Sequence, residues 1–378
     1  MTQREEGTLP SAALTRRSLM QRAGSLAGFA LAPGLLAACG EEIGGGALGG
    51  DPVDADTSRW PKITSEEVVV AGFGGLTYRT RHRILFDGFT DASGATVVDA
   101  PWDYGKFVAM LDSANPEWDM IDFDGFSMVG LLDAGSKFAK LEPWVRRCDL
   151  VDEAYRDYAG GSYAYSVVLG RSDEVGRPFG WKDLFDTRRF PGKRAFPRVI
   201  YAGTLELALL ADGVPRDQVQ PVDFERAFRK LDTIKDDLLF YDSYAQGQQF
   251  MIQNSASMIV TANSRTEQLK HQGGFDYTFE DAILYPWGAF PMPAKLPHRD
   301  AANALIDWMS APVSQAAVAR RLLLGPTVST AFKSLSDEEL AKTPNSPANR
   351  KRAFVIDTAK AAEQDADYAK RYSDWVAA

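Results

Sequence analysis

The chain is 378 residues long, enough for two domains at ordinary domain sizes, and its 45% hydrophobic and 25% charged residues are the proportions of a globular protein with a sizeable core. Its formal net charge of −9 argues against a general nucleic-acid binder. Three scattered histidines (His82, His271, His298), two cysteines and no HExxH, CxxC, GxSxG or glycine-lysine phosphate-loop arrangement leave metal and triad chemistry without a signature, so no cofactor or metal is expected.

At the N-terminus, Arg16, Arg17 and Arg22 precede an uncharged apolar stretch from about Ser25 to Ala38. That stretch is shorter than the roughly 20 residues that span a bilayer as a helix. It ends in Leu36-Ala37-Ala38-Cys39, which resembles a bacterial lipobox. The resemblance implies twin-arginine export, cleavage before Cys39 and lipid on its sulfur, with the protein anchored periplasmically or on the cell surface. A plain cleaved signal and a short buried helix are the competing readings. Residues 39–59, rich in glycine, read as a flexible tether, with the folded part starting near Trp60. Removing residues 1–38 takes away Arg4, Arg16, Arg17 and Arg22 against Glu5 and Glu6, so the formal charge moves from −9 to −11. Cys148 is then a lone thiol, expected to be packed rather than catalytic.

From Glu66 the pattern alternates strand and helix. "EEVVVAGF" is a strand, a helix runs through Arg83 to Phe89, "ATVVDA" is a second strand, "YGKFVAMLDSA" a helix and "WDMIDFD" a third strand. Two successive βαβ units predict a parallel sheet flanked by helices, with strand ends facing a crevice. The loop "GFGGLT" lacks the third glycine of a dinucleotide fingerprint. It is either a tight turn without ligand or a place where backbone meets a ligand oxygen at a helix N-terminus. Tyr155, Tyr158, Tyr163 and Tyr165, with glycine and proline punctuation beyond them, mark a domain junction. Asp223 is expected to cap a helix with Phe224, Phe228 and Leu231 on one face, and Asn263 to cap a helix after the strand "ASMIVTA". "AILYPWGAF" reads as a second crossing, followed by helices around Ala302–Met309 and "VSQAAVARRLLL" and a charged amphipathic helix at the tail.

The order of "GFGG", "WDMIDFDGFS", "GWKDLFDTRRFPGKRAF" and "YPWGAFPMPAKLPHRDAANALIDWMSAPVSQAAVA" resembles the extracellular solute-binding proteins of bacterial ABC importers, in the spermidine- and putrescine-binding-like group. These landmarks span roughly residues 66–330. The resemblance implies a two-lobed α/β fold, a hinge, and one solute held in the interlobe cleft. It places lobe 1 at residues 60–163 with 286–378 and an inserted lobe 2 at 164–285. Permease and ATPase subunits are the implied partners of a monomer without covalent chemistry. Strand-end positions facing the cleft on this reading are Phe73, Gly74, Gly75, Asp124, Phe126, Tyr163, Tyr165, Asn263, Arg265, Tyr285 and Trp287. Each aromatic could equally belong to the core, and Asp124 could be a turn residue. The chain departs from polyamine readers where acids are expected, having Pro197, Arg198 and Gly288 there. One carboxylate facing two ammonium groups would leave a charge unpaired. Arg265, at a helix start, suits a carboxylate, so the expected solute has an anionic or strongly polar end together with an amine for Asp124. An exported α/β enzyme and a sensor lipoprotein on the same frame are the alternatives from other classes.

Overall fold

The computed structural model describes residues 53–72, 75–135, 137–173, 179–198 and 203–378. The expected signal with Arg16 and Arg17, the lipid acceptor Cys39, and Phe73 and Gly74 lie outside these residues.

The valine run forms β1 (Glu67–Gly72), whose Val68 and Val70 are buried. The helix after it begins at Gly75, earlier than its apolar pattern suggests. It comprises α1 (Gly75–Arg81), a wider π turn over His82–Phe86 and α2 (Asp87–Ser93), and stops at Gly94, whose φ of 78° suits a glycine C-cap. β2 (Thr96–Pro101), α3 (Tyr104–Leu111), capped by Asp103 on Lys106 N–H, and β3 (Met120–Ile121) complete the predicted alternation. The strands pair in parallel in the order β2-β1-β3. β4 (Phe123–Asp124) and α4 (Gly125–Asp133) follow directly.

Beyond the tyrosines come β5 (Tyr163–Ser172), α5 (Trp181–Leu184), β6 (Arg194–Pro197), α6 (Thr204–Ala211) and α7 (Phe224–Asp232). Asp223 caps α7 as expected, accepting from Arg226 N–H at 3.0 Å. β7 (Leu238–Tyr241), α8 (Tyr244–Ile252), β8 (Met258–Ala262), α9 (Asn263–Gln272) and β9 (Phe275–Ala289) come next. The chain closes with α10 (Arg299–Met309), α11 (Pro312–Leu322), β10 (Gly325–Pro326), α12 (Asp337–Lys342), α13 (Pro347–Arg352), β11 (Phe354–Val355) and α14 (Thr358–Ala377). The second sheet runs β11-β9-β5-β8-β6-β7, with β10 and β4 joined to β5 and β9.

The long antiparallel pair β5 and β9 links two cores. At the Tyr163 and Gly288 end it meets β10 and β4; further along, β5 meets β8. Val68, Val70, Phe86, Phe89, Leu305 and Trp308 pack in one core, and Val167, Phe196, Leu205, Leu231, Val260 and Ile283 in the other. Each such aliphatic stabilises the fold by about 1.5–3 kcal/mol through burial. The architecture is a two-lobed α/β frame with strands crossing between the lobes.

Three expectations need correction. The folded part starts by Val53 rather than near Trp60, because Val53 and Ala55 are 7% and 4% exposed and Val53 N–H donates to Ile84 O at 3.1 Å. The tail does not pack with the first core alone: Phe354, Ile356 and Tyr372 belong to the second, while α14 also lies along α4. Asn263 is the first residue of α9, not its cap, which is Ala262. Cys148 is a packed thiol, 1% exposed and 3.6 Å from Ser310 Oγ.

Candidate functional site

Asp122 links β3 to β4 and Asp124 ends β4, and each meets one of the crossing tyrosines of β5. Asp122 is buried, receives Arg81 at 2.7 Å and accepts from the Tyr163 hydroxyl at 2.5 Å. The Arg81 guanidinium lies 5.3 Å from the Tyr163 ring centre and 5.0 Å from that of Phe290. Charge, hydrogen bonds and aromatic faces are all satisfied within this group.

Asp124 ends β4 and precedes α4, and its side chain makes no cap to that helix. Its Oδ1 accepts from the Tyr165 hydroxyl at 2.7 Å. No arginine, lysine or histidine pairs with it among the described residues. Burial pushes the Asp124 carboxyl up to about 6; Asp122 and Asp365 add to this, and the Tyr165 hydroxyl opposes it. Tyr165 is the cross-strand partner of Tyr285, and their rings stack at 4.6 Å and 6°. Phe126 stands 6.0 Å from Tyr285 on the α4 side. Burial first, then the Asp124 charge, raises the Tyr165 hydroxyl well above its ordinary value, so it stays a donor.

The second lobe supplies the opposite chemistry. Arg265 on α9 is half-buried, with its guanidinium 5.1 Å from the Tyr244 ring centre at the start of α8. Gln248 Nε2 donates to Arg265 O at 3.1 Å, tying α8 to α9. Tyr244 bears electrostatically on both Tyr165 and Tyr285. Among the described residues, a carboxylate without a cation from β4 meets a flat aromatic wall from β5 and β9, and Arg265 of α9 lies against Tyr244.

Asp124, Phe126, Tyr165 and Tyr285 therefore form one group, and Arg265 pairs separately with the Tyr244 ring. Gly75 opens α1. Tyr163, Asn263 and Trp287 have other duties. Tyr163 is part of the Asp122 nest. Asn263 is buried, accepts from Ser166 N–H at 3.1 Å and donates to Leu323 O at 2.8 Å, so it links β5, α9 and the end of α11. Trp287 is 2% exposed, with Nε1 3.2 Å from Asp152 Oδ2. A Cβ on Gly125 would stand 2.7 Å from Trp287 Cε3, so glycine there lets α4 start against the indole.

Sequence reasoning missed Glu206, Tyr244, Asp365, Trp102 and Tyr104. Glu206 is buried on α6 and accepts from the Tyr368 hydroxyl of α14 at 2.8 Å; burial raises its carboxyl. Trp102 and Tyr104, 36% and 40% exposed, follow the C-terminal end of β2, and the Trp102 indole donates to Asp122 O at 2.9 Å. Their position at the end of a parallel strand was the available signal. Among the described residues no group of histidine, cysteine, aspartate or glutamate has the arrangement to hold a metal ion.

A family model of bacterial extracellular solute-binding proteins matches residues 85–348. The gamma-aminobutyric acid-binding protein of Pseudomonas aeruginosa is 26% identical over 324 residues, covering 83% of this chain and 92% of its own length. A solved GABA receptor is 28% identical, superposes with a TM-score of 0.72, and is matched over 82% of this chain and 97% of its own. The glucopine complex of a binding protein from A. tumefaciens B6 is 25% identical, with a TM-score of 0.70 and coverage of 82% and 99%.

Proposed function

This chain belongs to the bacterial extracellular solute-binding proteins, which serve as the substrate-binding components of ABC importers, and we propose that its own solute is a small zwitterion carrying an amine and a carboxylate. The observation that carries this reading is Asp124, a carboxylate held by a tyrosine hydroxyl and, among the described residues, with no cation against it. An ammonium group arriving there replaces an uncompensated charge with a paired one, and the rings of Tyr165, Tyr285 and Phe126 add cation–π attraction. Arg265 across the cleft takes the carboxylate. The relatives whose names include γ-aminobutyrate and glucopine have solutes with both kinds of group.

The proposal extends to the working cycle. Lobes of about residues 60–163 with 286–353, and 164–285 with the tail, close on the solute by bending the β5 and β9 crossings, and the loaded form docks on the permease without covalent chemistry. Arg16, Arg17 and Cys39 provide twin-arginine export and a lipid anchor, which holds the protein near its permease. A diamine is the second reading, favoured by the further acids Glu206 and Asp365.

A thermal-shift comparison tests the choice. A solute at 100 times its dissociation constant should add about 2.7 kcal/mol to stability. γ-Aminobutyrate or glucopine should raise the midpoint more than putrescine or succinate. A rise with putrescine alone would favour the diamine, and a rise with succinate alone would sink the amine reading altogether.

A further inference from the structure

The tail helix α14 bridges the lobes. Ala362 O lies 3.8 Å from where a Cβ on Gly130 of α4 would stand, so the helix runs against the first lobe there. Tyr368, further along, donates to Glu206 and accepts from Leu205 N–H at 2.9 Å at the start of α6 in the second lobe. Tyr372 and Trp375 continue that attachment, reaching Pro197 O at 2.5 Å and Asp232 Oδ1 at 2.7 Å. Asp365 is three residues from both Ala362 and Tyr368, and helical geometry puts it on the same side, over the seam between α4 and α6.

Asp124 borders that seam as the residue that precedes α4. Asp365 is half-buried and, among the described residues, has neither a hydrogen-bond donor nor an ion-pair partner. Its charge is felt by Asp124 and by the Tyr104 hydroxyl. Burial raises the Asp365 carboxyl, as it does that of Asp124. A buried carboxylate without a counter-charge is costly, and two beside one another more so, unless a cation is shared between them.

We infer that Asp365 is a specificity-determining residue of the cleft, gripping the amine end of the solute together with Asp124. This rests on the amine reading above and narrows it. A cation held between two carboxylates donates an N–H to each, so the site takes primary or secondary ammonium groups and rejects the trimethylated form. The tail helix is thereby a wall of the binding site as well as a brace between lobes.

The test is calorimetric titration of the full chain with γ-aminobutyrate, glucopine and putrescine in turn, for wild type, Asp124→Asn and Asp365→Asn. The expected result is that at least one probe binds wild type and that both variants weaken it about ten-fold or more, with the Asp365→Asn melting midpoint equal to or above that of wild type. If a probe binds, Asp124→Asn weakens it and Asp365→Asn stays within about two-fold of wild type, the role of Asp365 is overturned while the amine reading stands. If none of the three binds wild type, both fall together. Should Asp365→Asn not fold, Asp365→Ser is read by the same criteria. The N-trimethyl form of the best probe should bind wild type at least about ten-fold more weakly than the parent amine; equal or tighter binding would leave the aromatic wall in charge and refute the two-carboxylate grip.

Discussion

Asp122 and Asp124 stand two residues apart, the first in the link between β3 and β4 and the second ending β4, yet they live in opposite circumstances. Asp122 has Arg81 and Tyr163 on its two oxygens and aromatic rings around the guanidinium. Asp124 has one tyrosine hydroxyl and further carboxylates for company. The first arrangement is complete and holds the strand in place; the second is stable only at a cost that a cationic solute would remove. A buried acid that is fully paired marks framework, and one that is half paired marks a place kept for something else.

The sharpest way to break this contrast is Arg81→Met, which strips Asp122 of its cation. It should destabilise the protein by about 3–5 kcal/mol in denaturant titration, because a buried charge is left alone. A loss below about 1 kcal/mol would mean that Asp122 is not the framework acid described. Asp124→Asn should do the reverse: stability unchanged or raised, and affinity for an amine solute reduced by about 1.5–3 kcal/mol, the worth of a hydrogen bond to a charged group.

The contrast also has a pH signature. Asp122, Asp365 and Tyr165 are the titratable groups that face Asp124, whose carboxyl titrates at about 6. Affinity for an ammonium should be level above about pH 7 and fall as pH drops below about 6, approaching ten-fold per unit. In the solute-free protein the sign for stability is opposite to that of a paired acid. The folded chain keeps a proton that the unfolded chain releases, so this group makes stability fall as pH rises from about 4 to about 6. A melting profile in which Asp124→Asn removes that slope would fit; an identical slope in the variant would not. The smallest effect is expected for Tyr165→Phe, which removes the one donor to Asp124 among the described residues and should move the midpoint of the affinity profile upward, with about 1 kcal/mol lost in binding at neutral pH. A downward shift would contradict the assigned donor.

Much of the frame was readable from local pattern. The valines of β1, the Asp223 cap and the apolar stripe of α10 each depend on neighbours a few residues away. Asp124, Tyr165 and Tyr285, which the structure groups together, could be singled out because strand ends and crossings announce themselves by glycine, proline and aromatic residues. What escaped was set by distance along the chain. Arg81 looked like one of several basic residues on a helix, and only the fold brings Asp122 to it. Glu206 was hidden within an otherwise apolar helix, and Asp365 among the charges of a tail that read as an amphipathic helix. Asn263 looked like a cap because its residue type favours that position, while the fold uses its amide to join Ser166 and Leu323.

The packed thiol of Cys148 has a practical consequence. Beyond Cys39 it is the chain's one other cysteine, and its sulfur is shut away beside Ser310. Cysteines introduced in pairs, one on each wall of the cleft, would take fluorescent dyes with little background from the native side chain. Solute capture could then be followed as energy transfer, turning the importer's receptor into a reporter of its own cargo.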